Sequence, residues 1–514
     1  MAWAQAPVPG GTLRVSSGGD PPDFDLHQTT TYLTQHVGAP CYSTLMRVDP
    51  ANPTQLLPDL AEKFEVSDDG LTVTFTLRQG VKFHDGTDLT VDDVIYSLNR
   101  VKAPPSGIVS PRRGLLGNIA TIEPVGAAGL KITLSQPQPD FPLLVSNPFN
   151  VIYPKAVVEP LDAEGVGMKR KIVGTGAFKL GRSIDGQLYE LERNEAYFGT
   201  PAHLDKIQFF PIRGEIERGV ALQGERIDAC FLFASEAVLT TLREAPGVTA
   251  LRRPTPTFIN LIPNVTQKPF DDVRVREALS LAIDRSAFIA TVGPLAGAFY
   301  HSYGLLLPGS DYQLSTDEIR EFAGYDTLPD AGGDIEANRA RARELLKEAG
   351  VPEGFKVSLL ARGDLPAFRD SSINVASQLN AIGFDASVDV RDAGAFATAE
   401  NRGEFQLVVH SVAVSGSLPD QILGEGYTSF GGRNYGKWED PSLDDLYRAQ
   451  SREPDVEKRK ALIRDFQLAF MKTFYHINLA WVGYGAAHSD RVKGWSALPD
   501  IYTNMQLDNV YLEG

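Results

Sequence analysis

The stretch from Pro263 to Arg285 limits what this chain can fold into more than any other part of it. It reads as an extended segment, a turn marked by Pro269, and then a helix. Val275, Ala278, Leu279, Ala282 and Ile283 recur at the 3.6-residue period and so share one face. Asp271 and Asp272 stand where a side chain can cap the unpaired N–H groups of a first turn. The same spacing assigns Arg274, Glu277 and Arg285 to a polar face. Periodicity alone gives an amphipathic helix laid on a core, with no chemistry attached.

At 514 residues the chain exceeds what one hydrophobic core serves, and roughly one domain per 150 residues gives about three. Hydrophobic residues make up 43% and charged residues 22%, ordinary for a globular protein, so disorder is not indicated. The 49 Lys and Arg against 65 Asp and Glu give a net charge of −16, which speaks against nucleic acid or an anionic membrane surface as partner. No window approaches the roughly 18 consecutive apolar residues of a spanning helix. Ala2, Ala4 and Ala6 form the small-residue pattern left around a signal-peptidase site, so residues 1–10 read as the remnant of an export signal and a linker. The alternative is a cytoplasmic chain with an alanine-rich start. No cysteine precedes Cys41, so nothing supports an N-terminal lipid anchor. Cys41 and Cys230 are too few for a disulfide framework or a four-cysteine zinc site. They could pair in an oxidising compartment or stay as buried thiols, and spacing does not choose between these.

Along the chain, residues 11–16 read as a first strand, broken by the run from Ser17 to Pro22. Thr30, Thr31 and Tyr32 open a further segment, on its face a polar helix start. Val73, Phe75 and Leu77 alternate with Thr72, Thr74 and Thr76, and Asp69-Gly70 supplies the turn of a hairpin. Thr90 and Asp93 have the spacing of a capping box ahead of Val91, Val94, Ile95 and Leu98. His84-Asp85 lies between glycines with no second histidine near, so it reads as a turn rather than a metal site. Gly174-Thr175-Gly176 lacks the phosphate-loop spacing and also reads as a turn. A strand within 203–212, with apolar residues at 207 and 209 and a proline that ends it, and a helix ending at Gly224 follow. Beyond the central helix, helices over 337–350, 372–382 and 457–471 alternate with strands at 355–360, 386–390 and 405–409. That alternation implies a largely parallel α/β sheet, with ligands beyond the strand ends, after Leu360 and Val409.

The run N-x-x-x-x-P-F-D-D-x-R-V-R-x-A-L-x-x-A-I-D-R from Asn264 to Arg285 resembles the segment where extracellular solute-binding proteins of family 5, the peptide, nickel and opine receptors of ABC importers, pass from one lobe to the other. Residues 57–86, the G-T-G-A-F run at 174–178, residues 193–212 and 222–228, the segment 440–446 and the closing 491–495 resemble the same family in the same order, so the likeness covers nearly the whole chain. It implies an α/β, two-lobed periplasmic-binding-protein fold of type II, with mixed sheets flanked by helices, an extra subdomain and a hinge. Lobe I would hold 11–45, 165–262 and 484–514, the extra subdomain 46–164, and lobe II 263–483.

The resemblance further implies that Thr30, Thr31 and Tyr32 line the cleft, and that an arginine clamps a peptide carboxylate, a position on which Arg362 falls. A guanidinium suits that role because it gives two parallel hydrogen bonds. Where family peptide binders carry an aspartate for the ammonium, this chain has Ser415, and Val412 replaces a tryptophan. A buried ammonium without its carboxylate would be costly, so a dipeptide held in the usual way is disfavoured. Asp420 could substitute if the loop shifts, and His410 is the one histidine nearby, without the partners a nickel site needs. The expectation is therefore a periplasmic, monomeric receptor without cofactor or metal, binding a small-molecule or peptide solute and docking on an ABC permease in the inner membrane. A chelate binder or chemosensory receptor on the same fold is the alternative. An enzyme is disfavoured by the lack of G-x-S-x-G, S-x-x-K and H-E-x-x-H patterns.

Overall fold

The computed structural model describes residues 9–16, 18–49, 52–233, 235–296, 304–307, 309–328, 332–363, 366–413, 418–495, 502 and 505–513. The chain forms two units. Unit 1 comprises Met1–Phe233, Ala237–Arg253 and Gly485–Gly514, and unit 2 comprises Ala234–Glu236 and Pro254–Tyr484. Apart from the short Ala234–Glu236 piece, the chain enters unit 2 within the strand Val248–Pro263 and leaves it within the strand Ile477–Ser489. No helix among the described residues is long and apolar enough to cross a membrane.

In unit 1 the first strand, Thr12–Ser16, runs parallel to both Lys206–Phe210 and Ala229–Phe233. Leu13 and Val15 are buried, while Arg14 turns the other way and grips Asp228 with two hydrogen bonds of 2.9 and 2.8 Å, fixing the strand beside its neighbour. Leu188–Arg193 and Phe178–Ile184 extend the sheet antiparallel on one side. On the other side Ala229–Phe233 pairs antiparallel with the end of Ile477–Ser489.

The hairpin read from threonine alternation is present as Ala61–Val66 and Thr72–Leu77. It belongs to a separate four-stranded sheet with Gly129–Leu134 and Ile119–Val125. Val73, Phe75 and Leu77 point into a core of their own, against Val94 and Leu98 of the helix Val91–Lys102, whose start carries the reciprocal Thr90–Asp93 capping box. Cys41 and Cys230 are buried and unpaired, in different cores.

Unit 2 has the strand order Phe384–Arg391, Phe355–Arg362, Leu407–Ala413, Val248–Pro263 and Ile477–Ser489. Phe355–Arg362 is parallel to both of its neighbours, but Leu407–Ala413 meets Val248–Pro263 antiparallel, so the sheet is mixed where the helix–strand alternation suggested a largely parallel one. The reason lies in Val248–Pro263, a connecting strand that enters from unit 1 without a crossover helix of its own. Leu261, Leu359 and Val409 face one core, and Phe258, Leu360 and Val408 face the other.

The central helix runs from Val273 to Ala282, with the Asp272 carboxylate accepting from Arg274 N at 2.9 Å. Val275, Ala278, Leu279, Ala282 and Ile283 are all buried, as their spacing requires. Arg285 departs from expectation. The helix ends at Ile283, whose backbone is extended, so the helical spacing no longer carries to Arg285, which instead opens the next helix, Arg285–Ala296. Its guanidinium is fully buried, donates to the carbonyls of Asn478 (2.9 Å) and Gly324 (2.7 Å) and to Ser280 Oγ (3.0 Å), and lies 3.8 Å from the centre of the Tyr325 ring. Arg276 is buried too, donating to the carbonyls of Thr473, Phe270 and Asp271. Arg274 alone of the three is exposed.

Two predictions follow from these burials. Arg285→Met removes three buried donors, leaving the Asn478 carbonyl only a 3.5 Å contact from Tyr325 Oη and the Gly324 carbonyl only Thr327 Oγ1, and is expected to cost about 3 kcal/mol or more, whereas Arg274→Ala stays within about 0.5 kcal/mol; urea unfolding of the two variants checks the contrast. His476 is fully enclosed by Tyr427, Trp438 and Phe470, with neither ring nitrogen hydrogen-bonded among the described residues. Burial pushes its pKa down to about 3. The unfolded chain therefore takes up a proton near pH 6.5 that the folded chain refuses. Stability is intact above pH 6.5 and falls by about 1.4 kcal/mol per pH unit from there towards pH 3. His476→Phe is expected to flatten the acid side of a melting-temperature-versus-pH curve, and an unchanged slope would count against this account.

Candidate functional site

In unit 1 the candidate residues sit where a loop meets the helix Tyr32–Gly38. Arg112 Nη2 holds that loop by donating to the carbonyls of Leu26 (2.7 Å), His27 (3.1 Å) and Thr29 (2.9 Å). Asp25, at its start, takes paired hydrogen bonds from the buried Arg100, which also binds Asp162. Thr31 is the N-cap of the helix and accepts from Leu33 N at 3.3 Å, and the Thr30 carbonyl accepts from Tyr502 Oη at 3.2 Å. Tyr32 is half-buried and begins a file of rings: Tyr32 to His36 at 5.4 Å, His36 to Phe231 at 5.4 Å, and Phe231 to Trp495 at 5.0 Å. Sequence reasoning missed His36, Phe231 and Trp495 because they come from three distant segments with no shared motif. His36 and Phe231 are buried, so only the end rings, Tyr32 and Trp495, are part-exposed.

The glycine-rich turn has a packing cause. A side-chain carbon on Gly174 would overlap the Cys41 carbonyl, and one on Gly176 would overlap the backbone of Pro40 and Cys41. His84 staples the same turn, its Nδ1 accepting from Gly174 N (3.3 Å) and its Nε2 lying 3.2 Å from the Gly176 carbonyl. Burial lowers its pKa to about 4, so it is neutral and fits that donor–acceptor arrangement.

In unit 2, Arg362 ends the strand Phe355–Arg362, half-buried, with Arg391 as its register partner on the neighbouring strand. Leu360 is in register with Val408, so two residues further on Arg362 and His410 fall on the same sheet face. His410 stands opposite Asn260 of the strand Val248–Pro263. Its Nδ1 lies 2.6 Å from Glu400 Oε1, within ion-pair distance although off the line of a well-formed hydrogen bond. Phe368, Phe396 and Tyr435 surround the ring, with centroids at 5.5, 5.0 and 5.7 Å.

Asp420 is not beside them in this way. It lies fully buried in the helix Pro419–Gly426, where its carboxylate takes hydrogen bonds from Gln450 Nε2 (2.5 Å), Ser451 Oγ (2.9 Å) and Arg459 Nη2 (3.3 Å). A carboxylate so engaged with its own unit is not open to a solute ammonium, and the substitution expected of it is set aside. Ser415 lies outside the described residues. No three His, Cys, Asp or Glu side chains converge for a metal among the described residues. A groove of about 650 Å³ elsewhere on unit 2 is lined by Glu277, Glu321, Lys472 and Phe474, and the ion pair Glu318–Arg464 at 2.6 Å sits in its wall.

This architecture is that of the periplasmic binding proteins of ABC transporters. The Helicobacter pylori protein DppA, in complex with the peptide STSA, matches it with a TM-score of 0.86 at 23% identity, over 99% of this chain and 99% of its own. The sequence is 30% identical to the glutathione-binding protein GsiB of Salmonella typhi over 512 residues, covering 97% of this chain and 94% of that one. It is 27% identical to the dipeptide-binding protein of Escherichia coli K12 over 488 residues, covering 90% and 88%. Residues 55–434 match the middle region of the bacterial extracellular solute-binding proteins, family 5, and the chain belongs to that family.

Asp420→Ala leaves the Arg459 guanidinium without its buried counter-charge and is expected to destabilise the protein by about 3–5 kcal/mol. A thermal melt of the unliganded protein checks this, and an unshifted melt would return Asp420 to the candidates for solute contact.

Proposed function

We propose that the protein is the solute-receiving component of an ABC importer, exported to the periplasm, monomeric, and specific for a small peptide-like carboxylate that it delivers to a membrane permease. Arg362 carries this reading. Its guanidinium stands at the C-terminal end of a strand parallel to both of its neighbours, the end at which α/β sheets bind ligands. A planar guanidinium answers a carboxylate with two charge-assisted hydrogen bonds. The relatives named for glutathione and dipeptides support the same class of solute. The two strands that join the units, Val248–Pro263 and Ile477–Ser489, act as the hinge on which solute capture depends. Thr31, occupied as a cap, contributes by holding the start of the helix.

A thermal-shift screen of glutathione, dipeptides and opine-type conjugates tests the reading. A true solute at a hundredfold excess over its Kd is expected to stabilise the protein by about 2.7 kcal/mol. Arg362→Ala is expected to weaken that solute at least tenfold, since a charge-assisted hydrogen bond contributes about 1.5–3 kcal/mol. An absence of stabilisation by every solute, joined to turnover of a peptide or ester, would overturn it.

A further inference from the structure

The Glu400 side chain is only 6% exposed, and among the described residues the one side chain within ion-pair distance of it is the His410 imidazole. Buried carboxylates ordinarily have a cation or several donors around them. Glu400 has a single imidazole, and the other groups of the cluster leave it so. Arg433 donates to Tyr435 Oη at 3.1 Å, and Phe368 and Phe396 bring only rings. Beside His410, the buried Asn260 Oδ1 has no hydrogen bond among the described residues, although Asn260 Nδ2 reaches the Phe258 carbonyl at 3.4 Å. The His410 side chain is 12% exposed. With its Nδ1 turned to Glu400, the ring leaves Nε2 as an acceptor. The His410 ring thus has a buried carboxylate on its Nδ1 side and, on the strand residue opposite it, a buried amide oxygen without a hydrogen bond among the described residues. An ammonium group brings three donors and a positive charge.

We infer that unit 2 reads the zwitterionic head of an α-amino acid, with His410 as the contact for its ammonium, Glu400 as the positioning and charge-balancing group behind the ring, and Arg362 one strand away as the contact for its carboxylate. Neighbouring strands lie about 4.8 Å apart, so both charges of the head fall within reach of one patch rather than at the two ends of an extended peptide. This inference rests on the peptide-like receptor reading above and narrows it to solutes that keep a free amine and a free carboxylate on one carbon. A γ-linked glutamyl peptide is such a solute, whereas its α-linked isomer has that carboxylate tied up in the peptide bond.

The test is calorimetric titration of the full chain with glutathione, N-acetylglutathione and the α-linked isomer of glutathione. Wild type is expected to bind glutathione at least tenfold more tightly than either of the others. In Glu400→Gln, which keeps shape and removes charge, the preference over the acetylated form is expected to fall below threefold while affinity for the acetylated form changes less than threefold. His410→Gln is expected to behave in the same way and decides the matter if Glu400→Gln does not give a cooperative melt. A preference that survives both substitutions overturns the inference alone, as does an equal loss for all three ligands, which a merely structural role would produce. Equal binding of the γ- and α-linked forms by wild type overturns the shared-head geometry. Wild type that binds none of the three, nor any dipeptide, overturns the receptor reading and this inference together.

Discussion

The guanidinium of Arg285 is sealed from water, and its charge is met by the carbonyls of Asn478 and Gly324, the Ser280 side chain and the face of Tyr325. No carboxylate pairs with it in that set of contacts. A buried cation held by oriented dipoles is favourable only while every dipole keeps its place, so this one side chain ties together a helix end, a loop and a strand that are far apart in sequence. Arg276 repeats the arrangement within the central helix, binding the carbonyls of Phe270, Asp271 and Thr473. Between them the two arginines fix the central helix against the strand Ile477–Ser489 and the segment before it. The core residues around them supply the bulk of the burial, and the arginines supply the register.

Unit 1 solves the same problem with the opposite chemistry. Arg100 is as buried as Arg285, but Asp25 and Asp162 both answer it, each with paired hydrogen bonds. Burial alone would raise the pKa of Asp25, yet the hydrogen bonds and charge of Arg100 outweigh it and hold the carboxylate below its ordinary range. Because Asp25 also accepts from Met168 N and Gln28 Nε2, the cluster sets the path of the loop that presents Thr30, Thr31 and Tyr32. The candidate contacts of unit 1 thus owe their position to buried charges that pair with one another.

Local patterns were the legible part of the sequence. The hairpin at 61–77, the Thr90 capping box, the tight glycine turn and the apolar face of the central helix each follow from rules that act over a few residues. Arg285 was misassigned because the rule was extended one residue pair past the point where the helix stops. Asp420 looked available because its partners, Gln450, Ser451 and Arg459, are brought in by later helices that no spacing rule connects to it. Glu400 carried no sequence signal at all, since only the fold sets it against His410. The parts of the site that depend on tertiary neighbours were therefore the parts that reading the chain in order could not supply.

The strand Ala229–Phe233 pairs on one side with the start of the chain and on the other with Gly485–His488, which are made only after all of unit 2. During synthesis from the N-terminus, that sheet edge must wait, bare, while most of unit 2 is translated. Pairings so distant in sequence close slowly, because the loop entropy is lost before the contacts are gained. An unfinished edge that carries Phe231 and Phe233 is also an invitation to wrong partners. Interleaving the two units in this way delays completion of the first until the second has been made, which keeps the nascent chain open for longer than two consecutive domains would.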